Sequence, residues 1–323
     1  MERVQIVSLL RKAVLYALIL TGLDQIAGSF LDVVLDHSPD GRFYKAKYSL
    51  EECDEEIVII GDSRGEMDYI PSVFIDSLGM TCWNASRGGQ GLPYFRIMQE
   101  GILNRYRPKL VLFNVEDNML EMPVNYERAG FLRPFYQSHP EIRPIINQVS
   151  PFERLLMQSR LYAFNSSFYY LFRPYLFHNL DGKREDLGWK PRPGMVIPEE
   201  EHEFIKETAL APLNPQSVAM FNEFMARFQE AGIMVMIVTP PNYNVQVVKS
   251  STDCYVADYC QEHHIPLFRY SENIPLITHS EWYGDRDHLN PEGAVLFTQK
   301  VAHRIKKAMV ENDKDPVSVI DFE

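Results

Sequence analysis

The heptapeptide IVIIGDS, residues 57–63, decides the fold of this chain. Its first four residues are β-branched and apolar, which is typical of a short strand buried on both faces of a sheet. Gly, Asp and Ser follow without a spacer, and a second glycine, Gly65, comes soon after. The pattern therefore predicts a strand, Ile57–Ile60, followed by a tight turn that presents the hydroxyl of Ser63 at the strand's carboxyl end.

Strand and helix patterns alternate on either side of this run. Short apolar runs predict further strands over 80–83, 109–115, 233–238 and 265–268. Apolar residues at helical spacing predict helices over 71–78, 92–106, 215–231, 255–263 and 291–310. This alternation predicts a three-layer α/β fold, with helices on both faces of a parallel, five-stranded, flavodoxin-like sheet. The predicted domain covers residues 55–310.

Polar residues follow the predicted strands where a site would form. Ser63 follows the first strand, the loop NASRGG (84–89) follows the second, and Asn118 comes shortly after the third. In parallel sheets these positions share the carboxyl edge, where ligands bind. Near the end of the chain, Asp285 precedes His288 by three residues. Serine, histidine and aspartate can serve as nucleophile, base and orienting carboxylate, the roles that acyl transfer requires.

Taken in order, these blocks resemble the SGNH (GDSL-type) family of hydrolases and acyltransferases. GDS at 61–63 is similar to the family's first block, NASRGG at 84–89 to the second, LFNVEDN at 112–118 to the third, and DRDH at 285–288 to the last. The resemblance covers about residues 55–118 and 215–310. Glycines usually precede the third-block asparagine in the family, whereas this chain has Glu116 and Asp117 there.

The resemblance implies roles for particular residues. Ser63 would be the nucleophile, His288 its base and Asp285 the residue that orients the histidine. The oxyanion hole would consist of the backbone N–H groups of Ser63 and Gly89 and the side-chain amide of Asn118. The implied activity is that of a serine esterase or O-acyltransferase working through an acyl-enzyme on Ser63, without a cofactor.

The substrate and the alternative function also follow from the resemblance. Family members with a membrane anchor often modify envelope polysaccharides, so the implied substrate is an O-acetyl or similar ester on a cell-surface glycan. The altered third block keeps a second hypothesis open. In that hypothesis the chain is an inactive envelope protein that binds glycan or an assembly partner.

The N-terminal segment, residues 1–35, has the composition of a membrane segment. Arg11 and Lys12 precede an apolar run over 13–23, and a second apolar run follows Asp24. An uncleaved anchor with its basic end in the cytoplasm fits this pattern. A signal peptide and the N-terminal helix of a soluble protein are the alternatives. Both membrane interpretations place the catalytic domain outside the cytoplasm, in the periplasm or at the cell surface. Residues 36–54 are polar and predict a linker.

Residues 119–213 interrupt the alternation and are rich in aromatic residues and arginine. We interpret them as a helical insertion that reaches over the active-site edge. It could form a lid or a glycan-binding wall, or a subdomain with its own core that lies on the membrane surface. The residues after 310 form a charged tail.

The charge balance narrows the class of partner. The chain carries 32 basic and 44 acidic side chains, a formal net charge of −12, which argues against a nucleic-acid partner. Arg64 and Arg87 flank the predicted site. They could bind an anionic substrate, or they could pair with nearby acids such as Glu66. No spacing of His or Cys predicts a metal site.

Overall fold

The computed structural model describes residues 2–177, 184–196, 210–243, 250–271, 274–277 and 279–312. A parallel sheet of five strands lies at its centre in the order β2-β1-β3-β4-β5. The strands are β1 Ile57–Ile60, β2 Cys82–Asn84, β3 Leu110–Asn114, β4 Met234–Thr239 and β5 Leu267–Arg269. This strand order is that of flavodoxin-like sheets. The predicted α/β fold is confirmed, with each strand within two residues of its predicted bounds.

Helices cover both faces of the sheet. They are α1 Glu2–Asp36, α2 Gly41–Lys47, α3 Ser63–Asp68, α4 Pro71–Leu78, α5 Leu92–Arg105, α6 Arg143–Ile146, α7 Glu153–Leu156, α8 Arg160–Ala163, α9 Phe168–Leu176, α10 Pro215–Glu230, α11 Ser251–Glu262, α12 Ile274–Ile277 and α13 Pro291–Asn312. Alternate residues of β1 enter different cores. Val58 and Ile60 pack with α5, α10 and α11, whereas Ile57 and Ile59 pack with α4 and α13. Burial on both faces explains why the strand is apolar at every position.

The segment 36–54 is part of the folded domain, so its interpretation as a linker was wrong. Helix α2 and one turn of π-helix, Tyr48–Glu52, occupy most of it. Phe43 and Leu50 are fully buried in the core beside α5. The apolar residues of this segment recur at helical spacing, which is the pattern of an amphipathic helix that the charged residues between them obscured.

The insertion packs onto the main hydrophobic core. Among the residues that the structure describes, it has no hydrophobic core of its own. It consists of α6 to α9 and short 3₁₀ segments, including Glu127–Tyr136 and Arg184–Asp186. Leu132, Phe164 and Leu171 are fully buried in the same core as α5. Predicted insertion residues 178–183 and 197–209, and most of the predicted charged tail, lie outside the described residues.

Helix α1 is long and apolar enough to cross a membrane. Its segment Val4–Asp36 has 33 residues and contains an 18-residue window with a mean hydropathy of 1.8. No residue of that apolar window is buried inside the protein. An N-terminal apolar helix of this kind is compatible with either an anchor or a signal sequence. The orientation of the remaining domain stays a prediction.

The second half of α1 is docked on the insertion. The carboxylate of Asp24 accepts hydrogen bonds from the Ser159 hydroxyl at 2.5 Å, the Arg160 N–H at 2.9 Å and the Leu161 N–H at 3.2 Å. It therefore caps the first turn of α8. A side chain at Gly28 would overlap Arg160, so glycine permits the close approach. The acidic residue in the apolar helix is thus bound to protein.

Replacing Asp24 by alanine should loosen this contact. We expect the full chain in detergent micelles to lose about 1–2 kcal/mol of unfolding free energy, because the amide groups of α8 lose their cap. Urea unfolding followed by circular dichroism measures the change. Thr21→Ala, an exposed substitution one turn earlier, is the control. Equal stability of the two variants would contradict the docking.

Candidate active site

The nucleophile candidate lies at the junction of β1 and α3. Gly61 and Asp62 connect the strand to Ser63, the first residue of α3. The Asp62 carboxylate accepts hydrogen bonds from the N–H groups of Arg64 at 3.1 Å and Gly65 at 3.3 Å. It also accepts one from the Asn114 amide at 2.8 Å. These bonds fix the start of α3 and, with it, the position of Ser63.

Both glycines of this turn are required by close packing. A Cβ atom at Gly61 would lie 2.6 Å from Cβ of Asn114, and one at Gly65 would lie 2.7 Å from Oγ of Ser86. The turn after β1 therefore packs directly against the end of β3 and against the loop after β2. Their contact brings the predicted first and second blocks together at the carboxyl edge of the sheet.

A hydrogen-bonded array connects Ser63 to the predicted C-terminal block. Nε2 of His288 lies 2.8 Å from Oγ of Ser63, and Nδ1 lies 2.7 Å from Oδ1 of Asp285. Oδ1 of Asp285 also accepts the backbone N–H of His288 at 3.0 Å. Ser63 is half-buried, so its hydroxyl can meet a substrate. In this array the histidine can take the serine proton while the carboxylate holds the opposite ring nitrogen.

A tight loop holds His288 in place. Tyr283 and Leu289 form an antiparallel bridge, and the Gly284 N–H donates to the His288 carbonyl at 2.9 Å. Asp68, at the end of α3, accepts the Leu289 N–H at 3.0 Å. Because Asp68 is completely buried, its pKa is raised well above the usual range. The element that carries Ser63 thus also positions the loop that carries His288.

Arg192, from the insertion, contacts the carboxylate of the array. Its Nε donates to Oδ2 of Asp285 at 2.7 Å. Burial works to raise the pKa of Asp285, but the His288 ring, the Asp287 N–H and Arg192 lower it overall. The carboxylate is therefore ionised at neutral pH. Nothing in the local sequence around Arg192 indicates this contact, and the sequence analysis missed it.

Two backbone N–H groups at the site have no protein acceptor. Among the described residues, the N–H groups of Ser63 and Gly89 donate to no protein oxygen. The neighbouring Gly88 N–H differs, because it donates to Glu66 at 2.8 Å. Gly89 has a φ of 72°, which favours glycine, and its loop lies against Ser63. This arrangement is compatible with the predicted oxyanion donors.

The predicted third donor, Asn118, has no hydrogen bond that ties its side chain to the site among the described residues. Asn118 is exposed and sits in a turn, where its carbonyl accepts the N–H groups of Glu121 and Met122. Asn114 is the asparagine that reaches the nucleophile turn, but its amide is used by Asp62 and its oxygen by Tyr69. An oxyanion role for Asn118 therefore stays a prediction.

Arg64 is buried among acids, which favours the pairing alternative over substrate binding. Its guanidinium lies 3.7 Å from Asp117, and Asp62 adds to the negative charge around it. Burial, strengthened by the charge of Asp62, raises the pKa of Glu116 to about 8. Glu116 and Asp117 thus belong to a partly buried cluster with Asp62 and Arg64 next to the nucleophile turn.

The raised pKa of Glu116 predicts a pH-dependent stability. The folded state keeps a proton that the unfolded state releases above the ordinary pKa of 4.5, so stability falls as pH rises from 4.5 to about 8. Glu116→Gln carries no such proton. At pH 8 it should be more stable than wild type by about 4 kcal/mol, since the pKa rises from 4.5 to about 8 and each pKa unit corresponds to about 1.4 kcal/mol.

Urea unfolding at pH 5, 6.5 and 8 tests this expectation. Glu262→Gln, an exposed acid on α11, serves as the control and should follow the wild-type curve. Parallel pH curves for wild type and Glu116→Gln would show that Glu116 is ionised in the folded state.

A cavity of about 360 Å³ adjoins the Gly88 loop that packs against Ser63, and Ser63 itself is not among the lining residues. Arg87, Gly88 and Glu66 are among its lining residues, and a Cβ at Gly88 would lie 3.4 Å from Cβ of Ser63. Lys45, from the segment predicted as a linker, also lines it and pairs with Glu66 at 3.1 Å. Of the two predicted substrate-binding arginines, Arg87 lies at this cavity.

Fold and site together define an α/β protein with a Ser–His–Asp array at the carboxyl edge of a parallel sheet. No protein-family model matches the chain, and no curated protein matches its sequence. Its structure is similar to the crystal structure of a Bacteroides fragilis protein for which acylhydrolase activity has been suggested. The two are 14% identical with a TM-score of 0.38, over 82% of this chain and 95% of that one. A similarity this distant assigns neither a family nor a reaction.

Proposed function

We propose that this protein is a serine esterase or O-acyltransferase that works through an acyl-enzyme on Ser63. The observation that carries the proposal is the continuous hydrogen-bonded array from Ser63 through His288 to Asp285. A serine hydroxyl is a weak nucleophile until a base removes its proton, and this array supplies the base with its orienting carboxylate.

The reaction would proceed in two halves. Oγ of Ser63 attacks the ester carbonyl carbon while Nε2 of His288 takes the hydroxyl proton. The carbonyl oxygen becomes an oxyanion, stabilised by the N–H groups of Ser63 and Gly89. The C–O bond then breaks, and His288 returns the proton to the departing alcohol. Water or an acceptor hydroxyl next attacks the acyl-serine, and the same histidine accepts and returns its proton.

The acceptor and the compartment are further parts of the proposal. An apolar N-terminal helix supports membrane anchoring, and an anchored enzyme facing outward would meet envelope polysaccharides. O-acetyl groups on such a glycan are the substrate we propose. Esterase and transferase differ in whether water or a sugar hydroxyl accepts the acyl group.

The altered third block favours one alternative. Glu116 and Asp117 stand where the family has glycines, and the exposed side chain of Asn118 has no hydrogen bond to Ser63 or His288 among the described residues. A protein with this altered block could bind an acylated glycan or an assembly partner without hydrolysing it.

Labelling by a fluorophosphonate probe separates the two functions. We expect the full chain in detergent micelles to be labelled, because the probe reacts with activated serines. Ser63→Ala and His288→Ala should not be labelled, whereas Ser72→Ala, an exposed serine on α4, should label like wild type. A folded wild-type protein that is not labelled would support the binding function.

A further inference from the structure

The cavity beside the Gly88 loop has an unusual charge. Five cationic side chains line it, and the lining contains one acid, Glu66, among the residues that the structure describes. The cations are Arg42, Lys45, Arg87, Arg173 and Lys190. The chain as a whole carries a net charge of −12. The charged side chains that line the cavity are, in contrast, mostly positive. Clefts lined by one sign of charge concentrate ligands of the opposite sign.

Glu66, the single acid of the lining, already accepts hydrogen bonds from the protein. Glu66 accepts a hydrogen bond from Lys45 at 3.1 Å and another from the Gly88 N–H at 2.8 Å. Lys45 in turn donates to the Gly188 carbonyl at 2.6 Å. One carboxylate can balance one cation, so Glu66, paired with Lys45, does not also neutralise Arg87 and Lys190. Arg42 and Arg173 have other interactions within the protein and are not counted with these two.

An aromatic ring supports Arg87 without using its N–H donors. The Arg87 guanidinium lies 4.7 Å from the centre of the Phe131 ring. Contact with a ring face leaves the donors in the guanidinium plane of Arg87 available. Nε of Arg87 is buried and has no hydrogen-bond partner among the described residues. A planar, doubly charged or bidentate acceptor would satisfy it.

The cavity is within reach of the nucleophile. Gly88 belongs to its lining and to the loop that lies against Ser63. Glu66 stands three residues after Ser63 on α3, which places the two side chains on neighbouring positions of one helix face. A ligand seated in the cavity can therefore extend to the Ser63 hydroxyl.

We propose that this cavity binds an anionic group, a carboxylate or a phosphate, that is part of the ester substrate. The inference rests on the proposed function for its link to Ser63, but the binding itself does not depend on catalysis. A carboxylated sugar and a phospholipid headgroup present the same chemistry to these cations. The sugar would reach the cavity from solution, and the headgroup from the membrane beside α1.

Binding can be measured without turnover in the Ser63→Ala full chain held in neutral detergent micelles. Trp83 and Trp189 line the cavity, out of three tryptophans in the chain, so tryptophan fluorescence reports its occupancy. The probes are galacturonate, inorganic phosphate and phosphatidylglycerol in mixed micelles. Galactose and phosphatidylcholine are the neutral counterparts. We expect saturable changes with anions and none with the neutral compounds.

Charge-removing variants test where the anion binds. Lys190→Gln and Arg87→Gln, each added to Ser63→Ala, should weaken anion binding by about tenfold, the loss expected for one charge-assisted contact. Lys300→Gln removes an exposed charge on α13 and should change nothing. Galacturonate binding without phosphatidylglycerol binding would assign the anion to a soluble glycan, and the reverse result would assign it to a lipid.

The outcomes separate this inference from the proposed function. Anion binding in a protein that the fluorophosphonate probe does not label would overturn the esterase proposal and leave the anion site standing. Labelling with no difference between charged and neutral ligands, or with equal affinity in the Lys190 and Arg87 variants, would overturn the anion site and leave the esterase proposal standing.

Discussion

Ser63→Ala should lower kcat for ester hydrolysis by about 10⁵- to 10⁶-fold, which is the loss expected when the nucleophile of a serine–histidine–aspartate array is removed. The reason is that no other group in the array can form the acyl intermediate, so the variant retains what the oxyanion donors and binding provide. The measurement is the steady-state rate of p-nitrophenyl acetate hydrolysis by the full chain in detergent micelles.

The double variant sharpens this test. His288→Ala should cost about as much as Ser63→Ala, and combining them should add little, because the two residues act as one unit. Ser72→Ala should retain the wild-type rate. Additive losses, or a Ser63→Ala protein that keeps a substantial fraction of the wild-type kcat, would show that the hydroxyl of Ser63 is not the nucleophile.

Lys45→Ala should lower the free energy of unfolding by about 3–5 kcal/mol. Lys45 is buried and holds Glu66 at 3.1 Å, so its removal leaves the buried Glu66 carboxylate without its ion-pair partner. Burial lowers the pKa of Lys45 to about 8, although Glu66 acts in the opposite direction. Urea unfolding of the full chain in micelles at pH 7 measures the loss.

Two matched variants decide between a lost ion pair and lost packing. Lys109 pairs with Glu56 at 2.6 Å but is exposed, so Lys109→Ala should cost at most about 1 kcal/mol. Replacing both partners, Lys45→Met with Glu66→Met, should recover a large part of the loss, because no unpaired charge remains. If the double variant is as unstable as Lys45→Ala, the loss of unfolding free energy is due to lost packing.

The sheet was predictable because its signal is local. Each strand is a short apolar run, and β1 is apolar throughout since Val58 and Ile59 enter opposite cores. The residues that approach Ser63 were predictable for the same reason, because parallel strands bring the residues after them to one edge. His288 follows no strand. Its prediction rested on the Asp285–His288 spacing and on the resemblance.

The parts that the sequence analysis missed depend on contacts between distant segments. Lys45 reaches Glu66 because α2 folds back onto the domain, and the sequence of α2 does not indicate which segment it packs against. Arg192 reaches Asp285 from an insertion whose elements are too short to show a period. The role of Asn118 was predicted from its place in the third block alone, and it stays a prediction.

Detection of an acyl-enzyme is the most direct test of whether Ser63 is the nucleophile. The full chain would be mixed with p-nitrophenyl acetate, quenched in acid within the first turnover and digested for mass spectrometry. Our account predicts one acetyl group on the peptide that contains Ser63, and no such adduct in Ser63→Ala. Hydrolysis of the ester with Ser63 unmodified at every time point, under conditions where a control serine esterase is trapped, would contradict it.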